Sequence, residues 1–191
     1  MDKVLKVLEE ILNETFQDNS KTISCFSEPQ EEIDEFEQLK DELILIDQIK
    51  LSKTYQVYVS DFSNSDKDYY FVDETKQGYA LLVNIEERKY GNHVGMVCKN
   101  PTSERGIAAQ IYVEYFANKM GELWSDETQT ALGFKLWQNI FDYVQRTSGF
   151  KFVVYDTQQK KEFEVNDSSE LNQYYGKEDE NFFQHFVIKK I

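Results

Sequence analysis

Residues 95–116, GMVCKNPTSERGIAAQIYVEYF, carry the change of character that sets the fold. Up to Lys99 the chain alternates apolar and polar side chains, the mark of a strand with a buried face. Asn100 and Pro101 break that run and a polar loop follows. From there Ile107, Ile111, Tyr112, Tyr115 and Phe116 recur at helical spacing, so a strand joins a helix through a turn containing Gly106. Backbone N–H groups at the start of a helix lack intrahelical partners, and the helix dipole adds partial positive charge there. A glycine with small residues behind it, here Ala108 and Ala109, lets a diphosphate approach the chain closely. The same segment also reads as an ordinary loop closed by a glycine–alanine turn.

Working back toward the N-terminus, TYQVYVSDF (54–62), DYYFVDE (68–74), QGYALLVNIEER (77–88) and GNHVGMVCK (91–99) are strand candidates rich in Val, Tyr and Phe. Short polar turns such as SNSDK (63–67) separate them, which predicts an antiparallel meander. Further upstream, Val4, Leu5, Val7, Leu8, Ile11, Leu12 and Phe16 share one stripe of an amphipathic helix. A second helix is expected to carry Ile33, Phe36, Leu39, Leu43 and Ile46 inward, and residues 28–42 within it hold eight acids and one lysine. Toward the C-terminus, ELWSDETQ (122–129) gives a short strand and TALGFKLWQNIFDYVQRTSG (130–149) an amphipathic helix. FKFVVYDT (150–157), the weaker KKEFEVND (160–167) and NFFQHFVIKKI (181–191) supply closing strands. No internal repeat and no linker divides the chain, so residues 1–191 are expected to form one domain with an acidic helical part (1–50) and a core (54–191).

This order of elements resembles the GNAT acyltransferase superfamily over roughly residues 54–190. The implied fold is α/β (α+β), a mixed, mostly antiparallel sheet flanked by helices, with the two N-terminal helices on the substrate side. In the family the diphosphate turn reads Gln or Arg, two residues, Gly, one residue, then Gly or Ala. Ser103-Glu104-Arg105-Gly106-Ile107-Ala108 matches at Gly106 and Ala108 and departs at Ser103, where Arg105 offers the nearest cation. LWSDETQTALGFKLWQNI (123–140) and the ending FKFVVYDTQQKKEF (150–163) look like small phage-type GNAT-like proteins. The resemblance implies acetyl-CoA as cosubstrate. Met96, Val97 and Cys98 would meet its pantetheine arm, and Arg105, Gly106, Ile107, Ala108 and Ala109 its pyrophosphate.

Acyl transfer to an amine needs a base, and often an acid for the departing thiolate. The tyrosine that serves as acid in the family has Trp137 at its nearest position here, a residue that also reads as core, while Tyr143 lies further along the helix. His93, set among Gly91, Asn92 and Gly95, titrates near neutral pH and is a candidate base. Glu86 and Glu87 are alternatives that read equally as turn residues, and Ser125 with Asp126 could order a water. Cys98 has no evident activating neighbour.

Composition bounds the rest. The net charge of −14 argues against direct nucleic-acid binding and suits a cationic small molecule or a basic protein. Residues 1–50 alone hold 14 acids against 5 bases. Two histidines and two cysteines without metal-ligand spacing leave no metal site in prospect. Cys25 and Cys98 are expected to be reduced thiols in a cytoplasmic protein, and no segment reads as membrane-spanning or as a secretory leader. Two functions remain open. One is transfer of acetyl from acetyl-CoA to a small-molecule or protein amine. The other is an inactive GNAT-like protein that binds a partner through its acidic N-terminal helices, phage- or mobile-element-derived. Mimicry of nucleic acid by the acidic segment is a third.

Overall fold

A computed structural model describes residues 34, 36–60, 65–76, 78–127, 129–175 and 183–191. The first expected N-terminal helix and most of the second lie outside them. What is described of the second is helical at 36–39 and tightens into a 3-10 turn at Lys40–Glu42. It stops there: Leu43 turns extended (ψ 146), and β1 (Ile44–Lys50) follows. The sequence reading carried helix through Leu43 and Ile46, and the structure corrects it. Ile44, Leu45 and Ile46 are consecutive apolar residues, two of them β-branched; the next strand pairs Ile44 with Val59 and Leu45 with Tyr58, and Ile46 lies at the register shift before Asp47.

The meander appears as expected in β2 (Thr54–Ser60), β3 (Asp66–Val72), β4 (Leu81–Arg88) and β5 (Gly91–Lys99), each antiparallel to its neighbour. Helix α1 follows, from Ile107–Gln110 through a π-helical stretch Ile111–Ala117 to Asn118–Met120. Then come β6 (Glu122–Trp124), helix α2 (Ala131–Val144), β7 (Phe150–Asp156), β8 (Lys161–Glu164), a 3-10 turn at Ser168–Tyr174 and β9 (Gln184–Lys190). Thr130 starts α2 by accepting the Gly133 N–H at 3.1 Å. The described strands form one sheet in the order β1-β2-β3-β4-β5-β6-β9-β7-β8, a mixed α+β architecture that is mostly antiparallel. Its parallel junction is β5 with β6, matched at the single pair His93↔Trp124. Among the described residues no helix is long and apolar enough to cross a membrane.

Both helices cover the same face. Ile107, Ile111, Tyr112 and Phe116 of α1 and Phe134, Trp137, Ile140 and Phe141 of α2 share one core with Phe71, Leu81, Val83, Phe152, Val154 and Phe186. Edge-to-face aromatic pairs organise it, among them Phe71–Tyr115 and Phe141–Phe152, both 5.3 Å between centroids. Trp137, 4% exposed against Tyr112, Phe152 and Phe186, is a core residue. The alternating strand residues Tyr70, Val72, Leu82 and Cys98 point to the opposite face, where Phe36 covers them. Cys98 is buried and disulfide-bonded, so the expectation of a reduced thiol does not hold for it. Cys25 lies outside the described residues. A third cluster on that same face joins Trp124, Val153 and Val187.

Candidate functional site

The residues singled out by sequence gather at three places along β5. At its C-terminal end, the loop 100–106 is built from local hydrogen bonds. Asn100 Oδ1 accepts from the Thr102 N–H at 2.9 Å and its hydroxyl at 2.8 Å, and Ser103 Oγ donates to the Ala80 carbonyl at 2.8 Å. Glu104 is drawn back onto β2, where Tyr55 donates to it at 2.6 Å and Ser52 also bonds it, and these bonds hold its carboxyl below the usual range. Its charge is therefore directed away from the turn. Gly106 sits at φ +86 as N-cap of α1, with no side chain capping the helix. An added Cβ there would meet nothing within 4 Å, so this glycine answers the left-handed backbone and not crowding. Arg105 and Gly106 are exposed, whereas the side chains of Ile107, Ala108 and Ala109 point into the core.

Midway along β5 the ladder slips. Val83 pairs with Val97 and Ile85 with Val94, so Asn84 alone faces both Gly95 and Met96, a β-bulge. Gly95 is exposed in the interior of the sheet. A Cβ at this position would lie 2.5 Å from Asn84 Oδ1 and 2.8 Å from Glu86 Oε1, which explains the glycine. Asn84 is held in place by donating to Asp68 at 2.8 Å and to Asp66. Met96, Val97 and Cys98 follow on β5 beyond the bulge.

At the N-terminal end of β5 lies a histidine pair that only half emerged from the sequence. Imidazole Nδ1 of His93 is 3.0 Å from the Ser125 carbonyl, and Nδ1 of His185 on β9 is 3.2 Å from the same oxygen. A carbonyl only accepts, so both Nδ1 atoms carry the proton and both Nε2 atoms carry a lone pair. Each ring is 2% exposed, and their centroids stand 5.1 Å apart, edge to face. Burial, the neighbouring His185 and the Arg88 charge push His93 down to about 4. Burial pushes His185 down as well. Both rings are therefore neutral at neutral pH.

Ser125 makes this possible. In a continued β6–β9 ladder its carbonyl would accept from Phe186; instead its own Oγ accepts that N–H at 3.0 Å while its N–H donates to the Phe186 carbonyl at 2.8 Å. The hydroxyl also donates to the Asp126 carbonyl at 3.1 Å. Ser125 is fully buried, its hydroxyl bonding Phe186 and Asp126 while its carbonyl positions the imidazoles. Glu86 accepts two bonds from Arg88, at 2.8 and 2.6 Å, and Arg88 reaches on to Asp126 at 3.0 Å. Glu86 is thus an ion-pair partner beside the imidazoles. His185 had no signal of its own in the sequence, since only pairing in space makes it a neighbour of His93. Among the described residues no group of three or more His, Cys, Asp or Glu could hold a metal. No family model, curated protein or solved structure matches the chain.

Proposed function

We propose that the chain is a GNAT-like N-acyltransferase that moves acetyl from acetyl-CoA to an amine. The observation that supports it is the junction of β5 and β6: two parallel strands matched at one pair, one of them bulged at Gly95–Met96 and continuing into an uncapped helix start at Gly106. The GNAT reading places the thioester arm along that parting and the diphosphate at the amides of residues 106–109. The strand order is compatible with it, because the strand after β6 in space is the last in sequence.

In this reading His93 is the base, since it ends the matched part of β5 and its Nε2 lone pair is fixed. The amine gives a proton to Nε2 and attacks the thioester carbonyl. The C–N bond forms, the C–S bond breaks, and the imidazolium yields its proton to the departing thiolate. A committed Tyr143, hydrogen-bonded to Glu114, takes no part. Thermal unfolding with acetyl-CoA tests the proposal. A saturable rise in Tm is expected, because a ligand bound only by the native state stabilises it by mass action. An unchanged Tm at about 1 mM acetyl-CoA overturns it.

A further inference from the structure

We infer that the cavity above the histidine pair receives a small primary amine carried on a flat apolar body and bound as its ammonium, and that this molecule, not a protein side chain, is the acceptor once the ammonium has released one proton to solvent. The cavity measures about 430 Å³, within the range of small-molecule sites. It is framed by the β4–β5 turn (Arg88, Lys89, Tyr90), by Glu127 after β6, by Thr157 and Gln158 after β7, and by Phe183 before β9. His93 and His185 form its floor.

The floor selects a donor. Both imidazoles spend Nδ1–H on the Ser125 carbonyl, and no further hydrogen bond reaches either Nε2 among the described residues. Two lone pairs from buried, neutral rings suit an N–H-rich group and repel an oxygen anion. The walls select an apolar body, because Tyr90 and Phe183 expose 38% and 42% of their surface. The charge around the cavity is net negative although its own lining is not. Arg88, Lys89 and Glu127 line it; behind them Glu86 at 2.6 Å and Asp126 at 3.0 Å bond Arg88, and with Glu127 at 3.9 Å they leave the Arg88 group at −2. Lys89 brings it to −1, and its own ammonium already lies 5.1 Å from the Tyr90 ring centre, a cation held on an aromatic face of this cavity.

The role as acceptor rests on the acyl-transfer reading, whereas binding does not, and the test separates them. The chain has two histidines, both in this cavity, so its imidazole NMR spectrum contains only the signals of interest. The probe is 2-phenylethylamine, with phenylacetate as the anion of matched shape, added to the full chain without acetyl-CoA. The expected result is a saturable shift of both Nε2 signals by the amine, with a Kd of about 1 mM, and none by phenylacetate. Glu127→Gln is expected to weaken amine binding about fivefold while both imidazoles keep the Nδ1–H tautomer in the free protein. Silence of both imidazoles at about 10 mM amine overturns the inference, as do equal shifts from phenylacetate or an unchanged affinity in Glu127→Gln. Amine uptake without any acetyl-CoA binding keeps this site and removes the transferase reading; the reverse result removes this site alone.

Discussion

Acidifying the protein from about pH 7.5 to about pH 5 should cost stability through His93 in an amount set by its burial. The ring is held as a neutral hydrogen-bond donor to Ser125, and its folded pKa is pushed down to about 4 from the ordinary 6.5. The folded pKa of a base is depressed here, so between the two values the unfolded chain binds a proton that the native state refuses. Stability is then fully present above the unfolded value and falls as pH drops through 6.5 toward 4. A gap of about 2.5 units corresponds to about 3.4 kcal/mol at the acid limit, and about 2 kcal/mol of this is already lost at pH 5. The ring is 2% exposed but lines the open cavity, so solvent makes these figures upper values. His185, shifted the same way, adds to the loss.

Other groups also titrate in acid. Asp47, Asp73, Glu104 and Glu162 have carboxyls held below their usual range, and they too lose stabilising bonds as pH falls. The His93 contribution is isolated by comparison with His93→Asn, whose amide nitrogen sits where Nδ1 does and preserves the donor to Ser125. Urea unfolding of both proteins across this range should show the wild type losing about 2 kcal/mol more than the variant. An imidazole titration by NMR supplies the second readout. A His93 that titrates near 6.5, or parallel pH–stability curves for the two proteins, refutes the reasoning.

Three substitutions probe the surrounding framework. Gly91→Ala forces a Cβ to 2.5 Å from Trp124 Nε1 at φ +154, and calorimetry should find a loss of about 3 kcal/mol. Ser125→Ala deprives the buried Phe186 N–H of its acceptor, so urea unfolding should report about 1–3 kcal/mol of destabilisation, and the two imidazole signals should shift. Tyr112→Phe removes a wholly buried hydroxyl that has no partner among the described residues, and a gain of up to about 1 kcal/mol is expected; a loss would mean the hydroxyl is satisfied.

Most of the sheet was legible because its strands are short runs rich in Val, Tyr and Phe bounded by polar turns. GNHVGMVCK coincides with β5 residue for residue, and TALGFKLWQNIFDYVQRTSG contains α2 with Trp137, Ile140, Phe141 and Val144 inward, as its 3.6-residue stripe requires. Leu132, which shares the helical spacing of Leu136, is nonetheless 77% exposed in the first turn of α2. β1 was illegible for a different reason. Leu43 and Ile46 fit helical spacing, and only the unpaired edge of β2 decides for strand. At the site, His93 could be nominated from residue type alone. The roles of Ser125 and His185 could not, because they depend on a register, 125 opposite 186, that composition does not encode.

That register is where fold and chemistry meet. A ladder carbonyl ordinarily accepts one N–H from the neighbouring strand, and a buried one left unpaired is costly. Ser is a side chain that can take over its own carbonyl's duty, since its hydroxyl accepts the Phe186 N–H from almost the same position. The carbonyl is thereby released toward β5, at the last pair before β5 and β6 part, and meets two imidazole N–H groups at 3.0 and 3.2 Å. Nothing else is needed to fix both tautomers, and both residues line one cavity. Asn at residue 125 would offer an amide of different reach, and Ala or Val no acceptor at all, so a β-hydroxyl, Ser or Thr, is required by the end of the β6–β9 ladder before it is required by any reaction.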